Sequence, residues 1–151
     1  MNGSMVLLPG VPWELLLVVV PLAGAALAAV WRSDRTRPLL LPVVGAVHAV
    51  LSLWLLIAPP PIEPGAWFAF DPIARAVLPA VSLLYLLCAA YGVAYLRVRA
   101  ERPNRVFVAL LLAVLGLLSA GHMARHLGAL WIATEGVTLA VAPVDLLGAH
   151  V

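Results

Sequence analysis

The sequence predicts an all-α polytopic membrane protein, with a single transmembrane helical domain over residues 1–151. Of its residues, 64% are hydrophobic and only 11% are charged, whereas roughly 25% of a soluble domain is charged. The apolar residues fall into five stretches of about 20 residues, the length that an α-helix needs to cross the hydrocarbon core of a bilayer. Because backbone polar groups find no water there, such stretches form helices. A chain of 151 residues then has no room for a soluble domain of useful size.

The five predicted transmembrane helices occupy residues 13–31, 38–57, 73–96, 106–123 and 127–147. The first ends at a group of arginines, and the second ends before the proline run that begins at Pro59. The third follows Asp71, the fourth follows Arg105, and the fifth begins just after His126. The Ala-Leu-Ala sequence at residues 26–28 resembles a signal-peptidase site. No basic residue precedes the first apolar stretch, however, so we expect a retained helix.

The positive charges predict the orientation of the chain. Seven of the nine basic residues, all arginines, lie in the connections after the first and third predicted helices: Arg32, Arg35, Arg37, Arg97, Arg99, Arg102 and Arg105. By the positive-inside bias these connections face the cytoplasm, which places the N-terminus outside and, after five crossings, the C-terminus inside. We expect a bacterial inner membrane. This clustering in short connections explains the net charge of +2 better than nucleic-acid binding does, so no nucleic-acid partner is expected.

Glu135 is the most informative residue of the sequence. It lies in the fifth predicted helix, and residues 127–144 contain no other ionisable side chain. A carboxylate near the bilayer centre costs about 2.5–3.5 kcal/mol on insertion scales, and such residues usually serve a function. A carboxyl group in hydrocarbon retains its proton more strongly than in water and releases it when a cation approaches, which suits a proton pathway. The alternative is a structural carboxyl group that bonds to Thr138 or to a partner helix.

Two other features, His48 and a polar turn, have a functional and a structural interpretation. His48, within the second predicted helix, could relay protons because imidazole titrates near neutral pH, but hydrogen bonding to a neighbouring helix is favoured for so isolated a histidine. His122, Arg125 and His126 form a polar turn without a third or fourth ligand nearby, so neither a metal nor a cofactor is expected. Cys88, the only cysteine, is expected to be a buried core residue.

Two segments of the sequence resemble a known family. Residues 130–140, LWIATEGVTLA, are similar to the fifth transmembrane helix of the antiporter-like subunits of respiratory complex I, membrane-bound hydrogenases and multisubunit cation/proton antiporters. Residues 70–73, FDPI, followed by residues 91–96, YGVAYL, resemble the third helix of the same subunits. The resemblance extends along the whole chain, but it covers only the first five helices of a family whose members have more helices than this chain.

The resemblance implies a proton-translocating membrane subunit in which Glu135 modulates a lysine on a later helix. This chain contains no lysine. We therefore expect it to function with other integral membrane subunits in the lipid bilayer, including one that carries the missing helices. No nucleotide loop or nucleophile constellation is visible, so any oxidoreductase activity, of the NADH dehydrogenase or hydrogenase type, is expected to belong to the assembly.

Two other functions remain open. The chain could be a non-transporting scaffold or assembly subunit, derived from a truncated antiporter-like protein, in which Glu135 is a helix-packing contact. A free-standing transporter is the least favoured function, because the sequence lacks the paired repeats and broken helices that transporters commonly use.

Overall fold

The described residues of this computed structural model, 13–62, 64–98 and 104–148, form five α-helices. These are α1 (Leu16–Val30), α2 (Leu40–Ile57), α3 (Pro72–Val98), α4 (Arg105–Met123) and α5 (Leu127–Gly148). Single 3-10 turns, Trp13–Leu15 and Arg37–Leu39, precede α1 and α2. No β-strand is found in these ranges, where one isolated bridge pairs Phe68 with Ala124. The predicted all-α class is confirmed.

The helices differ in whether they could cross a membrane. Four segments are long and apolar enough to do so, by length and composition: Trp13–Val30, Arg37–Ile57, Pro72–Val98 and Arg105–Met123. In α5 the described apolar segment, Leu127–Ala142, is shorter. The described chain therefore contains four candidate membrane spans, and the predicted fifth crossing stays a prediction.

The helices run alternately up and down. At one end of the bundle the α1–α2 connection meets the start of α4, where Nη1 of Arg37 donates to Oδ1 of Asn104 at 2.8 Å. At the other end the α2–α3 connection meets the α4–α5 turn, and the backbone N–H of Ala69 donates to the carbonyl oxygen of Met123 at 2.9 Å. The connections after α1 and α3 therefore share one end, as the arginine pattern predicts. We call it the arginine end.

The most extensive helix contacts are those of α1 with α4, α2 with α3, and α4 with α5. Glycines permit the closest approach. A Cβ atom at Gly116 of α4 would lie 2.8 Å from Cγ of Leu22 and 3.2 Å from the backbone oxygen of Val18, both on α1. At Gly24 of α1 it would lie 3.0 Å from a methyl group of Val44 on α2. The backbone of α1 is therefore packed tightly against two neighbouring helices.

The bundle surface is apolar, and several polar groups lie inside. Ile57 is 83% exposed and Leu87 is 70% exposed, whereas His48 and the serines at positions 52, 82 and 119 are fully buried. A soluble protein has the opposite distribution, and an apolar surface suits a lipid environment.

Cys88 corrects one prediction, because it is exposed rather than buried in the core. It follows Leu84 and Leu87, which are exposed, and at helical spacing the three residues share the outer face of α3.

Candidate functional site

His48 lies at the centre of a polar cluster that joins four helices. From α2, its Nδ1 lies 2.8 Å from Oγ of Ser82 on α3, and its Nε2 lies 2.8 Å from Oγ of Ser119 on α4. The same Nε2 lies 3.1 Å from the carbonyl oxygen of Leu17 on α1. A buried polar group without partners would be strongly destabilising, and here each nitrogen of the ring has at least one.

Pro21 explains why a backbone carbonyl takes part in this cluster. In an α-helix the carbonyl of residue 17 accepts a hydrogen bond from the N–H of residue 21, but Pro21, inside α1, has no N–H. The carbonyl oxygen of Leu17 therefore lacks its usual partner. His48 lies in hydrogen-bonding distance of that oxygen and replaces the missing donor.

The partners of the ring select one tautomer of the neutral imidazole. Ser82 donates its hydrogen to the carbonyl oxygen of Leu78 at 2.6 Å, and Ser119 donates to that of Leu115 at 2.8 Å. A neutral imidazole has one N–H. Because the carbonyl oxygen of Leu17 can only accept a hydrogen bond, the hydrogen lies on Nε2, the nitrogen that faces this oxygen. The hydroxyl of Ser82 lies within hydrogen-bonding distance of Nδ1 as well as of the Leu78 carbonyl, so it can donate to either acceptor. With the ring neutral, both of its nitrogens have hydrogen-bond partners within the chain.

Glu135 lies on the outer face of α5 rather than inside the bundle. Its side chain is exposed, about 12 Å of helix rise from Leu127 at 1.5 Å per residue. The hydroxyl of Thr138 donates to the backbone oxygen of Glu135 at 2.7 Å, not to its carboxylate. Within the described residues the carboxylate has no ion pair. It therefore faces whatever surrounds the bundle.

An apolar groove runs beside this face, between α4 and α5. Its volume is about 380 Å³. It is lined by Leu117, Leu118, Gly121 and His122 on α4 and by Leu130, Ala133, Thr134, Val137 and Thr138 on α5. The helix α5 packs mainly against α4. The opposite face of α5 therefore has no neighbour among the described residues, and it exposes Trp131, Ile132 and Leu139. A further helix could pack there.

The two predicted proton-pathway residues are not brought together. His48 is buried among α1, α3 and α4, whereas Glu135 points away from the bundle. No described hydrogen bond connects them. Sequence reasoning identified His48 but missed its serine partners and Pro21. Two isolated serines in apolar helices, together with a proline inside a helix, were the available signal.

The polar turn after α4 is placed at the end opposite the arginine end. Nδ1 of His122 donates to the carbonyl oxygen of Leu118 at 2.7 Å. His126 lies against Trp67, with ring centroids 4.8 Å apart. Among the residues that the structure describes, no group of three or more His, Cys, Asp or Glu side chains is arranged to hold a metal ion.

Arg37 has a structural role that the charge pattern did not predict. It is only 3% exposed, and its guanidinium donates to the carbonyl oxygen of Trp31, the carboxylate of Asp34 and the side-chain oxygen of Asn104. Asn104 in turn donates to the backbone oxygen of Asp34 at 2.7 Å. These bonds join the α1–α2 connection to the start of α4. We call these three residues, Asp34, Arg37 and Asn104, the arginine clamp.

Comparisons of the chain with protein-family models, with curated proteins and with solved structures found no match. The resemblance to antiporter-like subunits therefore rests on the sequence segments alone.

Proposed function

We propose that this chain is a membrane subunit of a larger proton-translocating complex, to which it contributes Glu135 as part of an ion pathway. The main support is one observation: an ionisable side chain in the middle of an apolar helix faces outward from the bundle. Against lipid, such a carboxylate costs about 2.5–3.5 kcal/mol. A second membrane chain that covers it would remove most of this cost.

The surroundings of Glu135 favour a helical partner. The groove between α4 and α5 and the exposed apolar side chains of α5 form an apolar surface against which a partner helix would pack. Thr134 and Thr138, exposed on the same helix, can bond to a partner side chain. Because this chain contains no lysine, we infer that the partner supplies the cation or hydrogen-bond donor at the depth of Glu135. It would be the chain that carries the helices missing from the resemblance.

The proposed setting is a bacterial inner membrane, with the N-terminus outside and the arginine end in the cytoplasm. Any redox reaction that drives transport, of the NADH dehydrogenase or hydrogenase type, would take place in other subunits. The chain itself binds its partner and lipid, and exchanges a proton at Glu135.

A scaffold without transport is the second candidate. The polar cluster around His48 is satisfied within the chain, and no described hydrogen bonds connect it with Glu135. If the chain only stabilises an assembly, Glu135 acts as a polar contact between helices.

Substitution of Glu135 separates these functions. Glu135→Gln keeps the shape and hydrogen-bonding capacity but cannot exchange a proton. The complex should therefore assemble and translocate protons at least about tenfold more slowly. Glu14→Gln, the same chemical change before α1, is the matched control and should leave both properties unchanged. The measurement is proton uptake into vesicles, beside the yield of co-purified subunits.

The two candidates predict opposite results. Full proton uptake by an assembled Glu135→Gln variant would exclude the pathway and leave the scaffold. Assembly lost in Glu135→Leu but kept in Glu135→Gln would indicate a polar contact with a partner helix.

A further inference from the structure

A cavity of about 730 Å³ lies at the arginine end of the bundle. It is bordered by the α1–α2 connection, the end of α3 and the start of α4. Its polar lining includes Arg35, Thr36 and Arg97, and its apolar lining includes Leu39 and Leu96. Arg35 comes from the α1–α2 connection and Arg97 from the last turn of α3. They meet at one cavity only because the bundle brings these two segments together.

The charge beside this cavity is positive. Arg35 and Arg97 are exposed, and neither makes an ion pair within the described residues. Asp34 also lines the cavity, but its carboxylate is already bonded to Arg37 in the arginine clamp. The cavity also borders Asn104, whose side chain does not cap α4. The positive end of the α4 dipole therefore adds to the charge of the two arginines.

The position of the cavity suits an amphipathic ligand. The candidate spans Arg37–Ile57 and Pro72–Val98 begin and end there, so the cavity lies where apolar helix meets polar connection. Leu39 lies in the first turn of one of these spans and Leu96 in the last turn of the other, so the cavity offers apolar side chains as well as two arginines. A small soluble anion would use only the arginines, whereas a lipid uses both kinds of surface.

We propose that this cavity binds the headgroup of an anionic phospholipid. Arg35 and Arg97 bind the phosphate through charge-assisted hydrogen bonds, while Leu39 and Leu96 contact the first carbons of the acyl chains. The inference rests on the proposed membrane location, but not on proton transport or on Glu135. Failure of lipid binding therefore leaves the result of the Glu135→Gln experiment unaffected, and the reverse also holds.

The test compares two pairs of arginines. The full chain, isolated with any subunits that accompany it, is titrated with phosphatidylglycerol, phosphatidylcholine and inorganic phosphate, and bound lipid is measured by native mass spectrometry. Arg35→Gln with Arg97→Gln removes both cavity arginines. Arg32→Gln with Arg105→Gln removes two exposed arginines at the same end that do not line the cavity. The two double variants therefore carry equal net charge.

We expect phosphatidylglycerol to bind at least about tenfold more tightly than phosphatidylcholine, and the cavity pair of substitutions to remove this preference. The control pair should keep it. Leu39→Trp, which fills the cavity without changing any charge, should also weaken binding, and it provides a second test if the arginine variant misfolds. Equal loss in both arginine pairs would indicate diffuse electrostatic attraction and would overturn the proposal. Competition by inorganic phosphate at the same concentration as lipid, or binding without preference for the anionic lipid, would overturn it too.

Discussion

Two ionisable residues in apolar helices have opposite environments in this protein. His48 is fully buried, with partners on three other helices, whereas Glu135 is exposed on α5. The difference follows from the partners that each side chain finds. Pro21 creates an unpaired carbonyl beside His48, but the described chain offers the carboxylate of Glu135 no donor. The histidine is thus satisfied by its own fold, whereas the carboxylate of Glu135 has no ion pair within the described residues.

The pairing of His48 with Leu17 predicts an energetic coupling to Pro21. His48→Leu should lower the free energy of unfolding by about 2 kcal/mol, because the carbonyl of Leu17 loses its donor. The serines still bond to carbonyls of their own helices. In a Pro21→Ala background residue 21 regains an N–H for that carbonyl, so the cost of His48→Leu should fall by about 1 kcal/mol. Unfolding in detergent, followed by circular dichroism, measures both values.

Pro79→Ala is the control for this cycle, since Pro79 lies inside α3 and frees a different carbonyl. It should leave the cost of His48→Leu unchanged. Equal effects of the two proline substitutions would mean that the coupling does not pass through Leu17.

A second prediction at this scale concerns the arginine clamp. Arg37→Gln should lower the free energy of unfolding by about 2 kcal/mol, because the guanidinium joins Asp34, Asn104 and the backbone of Trp31, and bonds to charged groups are the strong ones. Arg32→Gln removes the same charge from an exposed position and should change stability by less than about 0.5 kcal/mol. Similar losses in both variants would contradict the buried role of Arg37.

Among the helices, α1 and α4 pack with their backbones close together, whereas α5 contacts the bundle with one face only. Gly116 permits the α1–α4 contact, since a side chain there would meet both Leu22 and the backbone of Val18. The helix α5 packs mainly on α4 and leaves an apolar face with Glu135 unpaired. Small residues such as Gly24 and Gly116 are therefore used for packing within the chain.

Gly116→Ala should separate α1 from α4. The backbone oxygen of Val18, 3.2 Å from the new Cβ, cannot turn away as a side chain can. We expect a loss of about 1–3 kcal/mol in unfolding free energy. Gly128→Ala on α5 is the matched control, because nothing lies within 4 Å of its added Cβ, and it should be neutral or slightly stabilising. Thermal unfolding of the two variants in the same detergent tests the difference, and equal stability would contradict the close α1–α4 contact.

At the scale of the whole molecule, the connections pair at the two ends of the bundle. The arginine clamp fastens one end, and a short backbone pairing between residues 67–69 and 123–125 fastens the other. This arrangement predicts that both arginine-rich connections face the same compartment. The positive-inside bias predicts that this compartment is the cytoplasm. The compartment of the C-terminus depends on whether α5 crosses the membrane.

Reporter fusions at Arg35, Gly65 and Arg102 should read cytoplasm, outside and cytoplasm. A fusion after residue 151 should read cytoplasm if α5 crosses the membrane, as the sequence predicts. An outside signal for that last fusion would leave four crossings, with α5 on the outer surface. Opposite signals at Arg35 and Arg102 would contradict the pairing of the two connections.

Helix positions and the shared end of the arginines could be predicted from the sequence alone, because hydropathy and helix length act locally and short connections make successive helices alternate in direction. The helical class and the presence of all five helices were predicted in this way. Which face of each helix points inward was decided only by the tertiary structure. Apolar residues are distributed almost uniformly around each helix, since lipid and core are equally apolar. The sequence pattern therefore could not predict that Cys88 and Glu135 lie on outer faces. Nor could it predict that Ser82 and Ser119 lie beside His48. The close contacts at glycines such as Gly116 and the pairing of His48 with the Leu17 carbonyl form only when helices distant in sequence are packed together.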